Sequence, residues 1–172
     1  RNQQAVRRRI LRTAGPLLSW YDAGHRDLPW RSEPAPYRVW VSEIMLQQTR
    51  VEAVRGYFSR WMNALPDIPA LAAADEAVYT KLWEGLGYYS RVRNLHRAAV
   101  LLCEEYGGEL PADYDRLLAL PGVGEYTAGA VASIAFGLPV PAVDGNVLRV
   151  AARLDNDFTP ITDAKFKKQT RQ

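Results

Sequence analysis

Residues 115–146 read DRLLALPGVGEYTAGAVASIAFGLPVPAVDGN, and this stretch decides the fold. The apolar run Leu117-Leu118-Ala119-Leu120 stops at Pro121, the turn Gly122-Val123-Gly124 follows, and a second run of small and apolar residues, Ala128 to Phe136, closes at Gly137. Two short helices joined by so tight a turn need glycines, because the connecting backbone takes positive φ and approaches a partner closely. The second helix begins directly after the glycines, so its first N–H groups face outward at the positive end of its dipole. That arrangement binds an anion, phosphate above all, through the backbone alone. From Gly-x-Gly by itself an ordinary αα-hairpin is the better reading. A Pro-rich connection and a lone acid in Val143-Asp144-Gly145-Asn146 shift the balance. A phosphate clamp followed by a carboxylate at the start of another helix suggests catalysis on a nucleic acid.

Composition narrows the class. At 172 residues the chain is one domain or two small ones, and 48% hydrophobic with 24% charged residues is globular, not disordered. A net charge of +3 is mildly basic, compatible with nucleic acid without establishing it. Cys103 is the single cysteine, which excludes an internal disulfide framework and a four-cysteine metal site within these residues, and fits a reducing compartment. Nothing resembles a signal peptide, and no apolar run approaches membrane-spanning length. The expectation is a soluble intracellular protein.

Working outward from the hairpin, helical spacing recurs and strand alternation does not, so the fold class is all-α. Arg7, Arg8, Arg9 and Arg12 read as a solvated helical face, with phosphate contact second. Thr13 caps a helix that accepts Pro16 in its first turn and runs to Gly24. The loop His25 to Arg31 sets Trp30 beside Arg31, a pair that lines a pocket for a flat ring or, equally, covers a helix end. Pro36 starts a helix with Tyr37, Trp40, Val41, Ile44 and Met45 at helical spacing. Glu43 falls inside that run, and pattern alone prefers it on the solvent side over a cleft with a raised pKa. Gln47-Gln48-Thr49 interrupts the pattern, and Val51, Val54, Phe58, Trp61 and Met62 resume it as core. A helix over Glu76 to Trp83 sets Val78 and Leu82 on one face. Gly85-Leu86-Gly87-Tyr88-Tyr89 presents a wedge for insertion between bases or, equally, makes a plain helix–helix turn. Ser90 caps a long helix that ends at Gly107-Gly108, with Arg91, Arg93 and Arg97 outward. His96 and Cys103 lie in it without partner ligands and read as structural. The helix from Asn146 to Leu154 sets Val147, Val150 and Ala151 on one face, and a polar tail follows.

LPGVGEYTAGA followed by VDGNV resembles the helix–hairpin–helix DNA glycosylases, and DLPWR, VWVSEIMLQQT and WEGLGYYSRVRNLH are similar to the adenine DNA glycosylase branch of that family. The similarity runs from about Trp20 to Arg153. It implies two helical lobes with a DNA cleft between them: residues 1–29 an N-terminal helix of the second lobe, 30–137 a six-helix barrel lobe with the hairpin, and 138–172 the start of the second lobe. In the family that lobe holds a [4Fe-4S] cluster on four cysteines, and a further domain reads 8-oxoguanine. Neither is expected within these residues, so the chain is expected to be a catalytic-core fragment of a longer enzyme.

The implied activity is base-excision repair: hydrolysis of the N-glycosidic bond of adenine mispaired with 8-oxoguanine or guanine in double-stranded DNA, by a monomer working where the DNA is. The resemblance implies Glu43 as the acid that protonates adenine and Asp144 as the stabiliser of the oxocarbenium-like sugar, with Tyr126 and Asn146 hydrogen-bonding around them. Trp30, Arg31 and Leu46 would line the adenine pocket. Gln48 and Tyr88 would fill or wedge the stack, with Leu86 close by, and Gly122, Val123 and Gly124 would hold a phosphate. Bifunctional relatives carry a Schiff-base lysine at the position of Tyr126. A tyrosine cannot form that imine, which implies a monofunctional glycosylase. The competing expectations are a related glycosylase with another base preference and a hairpin module that only grips DNA.

Overall fold

The computed structural model describes the backbone of residues 3–170 and the side chains from Leu11 to Thr170, so the run Arg7-Arg8-Arg9 lies outside the described side chains. Among the described residues the order is α1 (Gln3–Gly24), α2 (Pro29–Ser32), α3 (Pro36–Leu46), α4 (Val51–Ala64), α5 (Ile68–Ala72), α6 (Glu76–Trp83), α7 (Ser90–Tyr106), α8 (Tyr114–Leu118), α9 (Glu125–Phe136), α10 (Gly145–Asp155) and α11 (Ala164–Thr170), with no strand. The all-α expectation holds.

Helix α3 is the axis of the fold. Ala35 is extended (ψ 144°) and Pro36 fills the first helical position, where its missing N–H costs nothing. Val39, Trp40, Val41, Ile44 and Met45 are then buried on nearly every side of the helix. A helix apolar all round must be enclosed. Here α2, α4, α7 and α9 enclose it. Trp40, Trp61 and Trp83 are fully buried, and the indole edges of Trp61 and Trp83 meet at 5.7 Å between centroids. Inside, the Trp61 indole donates to the Tyr37 hydroxyl at 3.0 Å, which donates to the Leu65 carbonyl at 2.9 Å, whereas the buried Trp40 indole N–H has no partner.

Short helices are set by local caps. Asp67 accepts from the Ala70 N–H and Asp113 from the Arg116 N–H, each at 2.8 Å. Helix α7 ends at Gly107 in the left-handed conformation, and the Gly108 N–H returns to the Leu102 carbonyl at 2.9 Å. One buried cluster runs from Leu28 to Ala132. Leu148 of α10 and Phe166 of α11 are buried outside it, where those two helices pack together.

Several local expectations are corrected. Helix α1 does not restart at Thr13 but runs through it, with Pro16 inside. Pro29–Ser32 forms one helical turn rather than loop, because Pro29 opens it. Tyr79 and Trp83 are the buried residues of α6, Leu82 packs half-buried against the core, and Val78 is 44% exposed. Ser90 is the first residue of α7 rather than its cap. In α10 the buried residue is Leu148, while Val147 and Val150 face outward. The tail is helical too: Asp163 Oδ1 accepts from the N–H groups of Lys165 and Phe166, which starts α11.

Candidate active site

The hairpin forms as its residues dictate. Leu120 and Val123 are buried and pull the turn inward, while Gly122 and Gly124 stay exposed. Gly122 has φ 75°, and a Cβ there would stand 2.7 Å from the Cβ of Asn94, so both conformation and space require glycine. Gly124 is extended at φ −93° and opens α9 with no side-chain cap, so the first turn presents its backbone N–H groups at the positive end of the helix.

Tyr126 sits in that first turn, and α9 packs directly on α3. This brings the Tyr126 hydroxyl to Glu43, to which it donates a hydrogen bond. Gly129, one turn further along α9, lets the chain after the hairpin come close. A Cβ at Gly129 would lie 2.3 Å from the Pro141 carbonyl oxygen. The segment from Pro141 therefore runs against the backbone of α9 and delivers Asp144 to the same locality, where its charge acts on both Glu43 and Tyr126.

Asp144 is the N-cap of α10. One carboxylate oxygen accepts from the Val147 N–H at 2.8 Å and the other from the Asn146 side-chain amide at 2.7 Å. Asn146 in turn accepts from Arg149. Asp144 and Gly145 also border an open depression of about 310 Å³ with Leu148, Ile161, Thr162 and Lys167.

Glu43 is partly buried, which corrects the preference for a solvent-facing carboxylate: in a helix buried nearly all round there is little outer side to occupy. Burial pushes its pKa above the ordinary 4.5; the Tyr126 hydrogen bond opposes this, the Asp144 charge adds to it, and Arg31 opposes it. The Tyr126 phenol is raised, first by burial and then by the two carboxylates. Two acids thus share one site: Glu43 displaced toward its protonated form, Asp144 held by donors.

The remaining expected positions fall into two groups. Arg31 is exposed at the end of α2, with its guanidinium 5.5 Å from the centroid of the Tyr21 ring, close enough to Glu43 to act on it electrostatically. Trp30 turns inward instead, 6% exposed, with its ring edge-on to Phe58 at 5.3 Å. Leu46 is half-buried at the end of α3. Gln48 and Tyr88 are exposed, both with positive φ (57° and 47°), whereas Leu86 is 7% exposed and packs in the core. The Gly-Leu-Gly loop thus buries its leucine and presents its tyrosine.

Sequence reasoning missed Arg91. It does not point outward; its guanidinium turns in to carbonyls at the end of α3 and in the Gly85–Tyr89 loop. An arginine in the first turn of a helix, after a glycine-rich loop, is the only sequence trace of this. A [4Fe-4S] cluster does not fit these residues. Cys103 is the one cysteine, half-buried in α7, and no group of potential ligands gathers among the described residues.

A helical hairpin with an open helix N-terminus thus stands beside the Glu43 carboxyl and a second carboxylate, Asp144. Residues 41–172 match the HhH-GPD superfamily of base excision DNA repair proteins, and the chain belongs to that superfamily. It is 52% identical over 147 residues to the adenine DNA glycosylase of Mus musculus, covering 80% of this chain and 28% of that protein. To the adenine DNA glycosylase of Mycolicibacterium smegmatis it is 48% identical over 138 residues, 80% of this chain and 47% of that one. The chain thus spans between about a quarter and a half of the length of these curated relatives. Among solved structures, a thermostable thymine-DNA glycosylase shares the fold at a TM-score of 0.84 with 24% identity, over 97% of this chain and 79% of that one. Endonuclease III in a trapped covalent intermediate with DNA matches at 0.79 with 27% identity, over 99% and 76%. No helix among the described residues is long and apolar enough to cross a membrane.

Proposed function

We propose that these residues are the catalytic core of a monofunctional adenine DNA glycosylase, acting on adenine opposite 8-oxoguanine or guanine in duplex DNA. The observation that carries the reading is the pairing of Glu43, raised by burial, with Asp144, brought beside it by the close approach at Gly129. The 52% identity to a mammalian adenine DNA glycosylase supports the choice of base.

The target nucleotide must leave the stack before any side chain reaches it, at a cost of a few kcal/mol. Gln48 and Tyr88, exposed on adjoining loops, occupy the gap. The open N-terminus of α9 with the Gly122–Gly124 turn grips a phosphate. Arg31 and Leu46 form the wall toward the extruded adenine, with Trp30 packed against Phe58 as its backing. Adenine is a poor anionic leaving group, so Glu43 delivers its proton to a ring nitrogen as the C1′–N9 bond breaks. The electron pair departs with the base, and the sugar becomes oxocarbenium-like. Asp144 faces that positive charge, and Tyr126 and Asn146 hold the two acids in register. Water adds at C1′ and gives up a proton to the Glu43 carboxylate, which completes the hydrolysis and restores the acid. Tyr126 offers no amine for an imine, so no strand cleavage proceeds through it.

The lobe division at 1–29, 30–137 and 138–172 belongs to the same proposal. So do a working place beside DNA and an 8-oxoguanine preference read by parts other than these residues. The test is excision by the full-length protein on a panel of duplexes carrying each mispair. Release of adenine in preference to thymine or cytosine is expected, and preferential thymine release would overturn the reading.

A further inference from the structure

Gln48 and Tyr88 are two of the three non-glycine residues with positive φ among the described residues; the third, Asn156, merely ends α10. Backbone held in this region persists only where its surroundings over-determine it. For both residues the same group does so. Arg91 Nη1 donates to the carbonyl of Gln47 at 2.6 Å, and Nη2 to that of Gly87 at 3.2 Å. Those carbonyls belong to the peptide units Gln47–Gln48 and Gly87–Tyr88, whose planes set φ at the following residue. Nη1 also faces the last carbonyls of α3, Ile44 at 2.9 Å and Met45 at 3.2 Å, and Nη2 the Leu86 carbonyl at 3.0 Å. A cation on the C-terminal carbonyls of a helix is favourably placed. The guanidinium lies 5.2 Å from the centroid of the buried Trp83 ring and 5.6 Å from that of Tyr88, and the Trp83 indole donates to the Gly87 carbonyl at 3.1 Å. One planar fork therefore ties two loops that are distant in sequence.

We propose that Arg91 is a positioning residue for base extrusion: by clamping the Gln47–Gln48 and Gly87–Tyr88 peptides together it presents Gln48 and Tyr88 to DNA as one preformed wedge. This rests on the glycosylase reading given above. Arg91 touches no substrate, and its work is done before the bond breaks. Lysine cannot reproduce it, because a single ammonium lacks a rigid fork that spans two sets of carbonyls.

The test compares full-length wild type with Arg91→Lys in single-turnover excision of adenine from two duplexes. In one, adenine faces guanine; in the other it faces an abasic site, where it is unpaired and cheap to extrude. Losing the held conformation at the two loops is expected to slow the paired substrate by about 10-fold or more, with the unpaired one affected less than about 3-fold. Equal losses on both would overturn the proposal, since a merely structural role lowers both alike. A wild type that releases no adenine would instead overturn the underlying reading. In the wild-type protein, independent of any variant, the Arg91 Nη protons are expected to exchange slowly with solvent by NMR without DNA. Free rotation and fast exchange there would overturn the clamp even if Arg91→Lys did not fold.

Discussion

At the scale of single residues, the proposed chemistry is divided between two carboxylates, Glu43 and Asp144, whose surroundings differ. Glu43 is buried enough for desolvation to outweigh the Tyr126 hydrogen bond and Arg31, so its pKa stands above 4.5. The fraction able to donate a proton falls as pH rises through that raised value, so single-turnover excision should decline on its alkaline limb. The same burial penalty on stability is absent below the unfolded pKa and fully present above the folded one. Replacing Tyr126 by Phe removes a hydrogen bond that lowers the Glu43 pKa, so the limb should move to higher pH; a limb that stayed or moved down would contradict the pairing. Asp144 has two roles that substitution can separate. Asparagine still accepts from the Val147 N–H, so Asp144→Asn should melt within a few tenths of a kcal/mol of wild type, since Asp and Asn cap almost equally. Its excision should nonetheless collapse for want of charge. Alanine removes the cap as well, at about 0.5–2 kcal/mol. Unchanged excision with Asp144→Asn would leave Asp144 a helix cap alone.

At the scale of elements, α3 and α9 are the pair that assembles the site, and Gly129 sets how closely the next segment follows. Gly129→Ala puts a methyl 2.3 Å from the Pro141 carbonyl oxygen, a backbone atom that yields only by moving the chain leading to Asp144. Catalysis should suffer more than stability, because about 1 Å of misplacement costs on the order of 100-fold. Circular dichroism melts alongside single-turnover rates would read the two separately, and a rate near wild type would contradict the argument. Most of α3 to α9 was legible from the sequence, since proline starts, glycine stops and 3.6-residue spacing act locally. What was not legible depends on tertiary partners. The inward face of α6 is chosen by Trp61 meeting Trp83, the inward turn of Arg91 by carbonyls more than forty residues earlier in the chain. Glu43 looked solvent-facing because its neighbours' period says nothing about a helix enclosed all round.

At the scale of the molecule, the cluster from Leu28 to Ala132 is a closed core, whereas α1 and α10 leave apolar side chains outward. Leu17, Leu18 and Trp20 are 55%, 62% and 68% exposed, and Val150 and Leu154 about half. Asp144 therefore stands at the start of an element with one buried anchor, Leu148. These 172 residues alone are expected to excise adenine more slowly than a full-length relative such as the mycobacterial one, and to discriminate 8-oxoguanine from guanine weakly. Matched rates and selectivity in side-by-side single-turnover assays would show that the core needs no further support. The central claim, that a protonated Glu43 drives departure of adenine, is tested most directly by Glu43→Gln in the full-length protein. Duplex affinity should be retained while the single-turnover rate on adenine opposite 8-oxoguanine falls by about 10²–10⁴-fold, the usual share of general acid catalysis. Excision at or near the wild-type rate would contradict it.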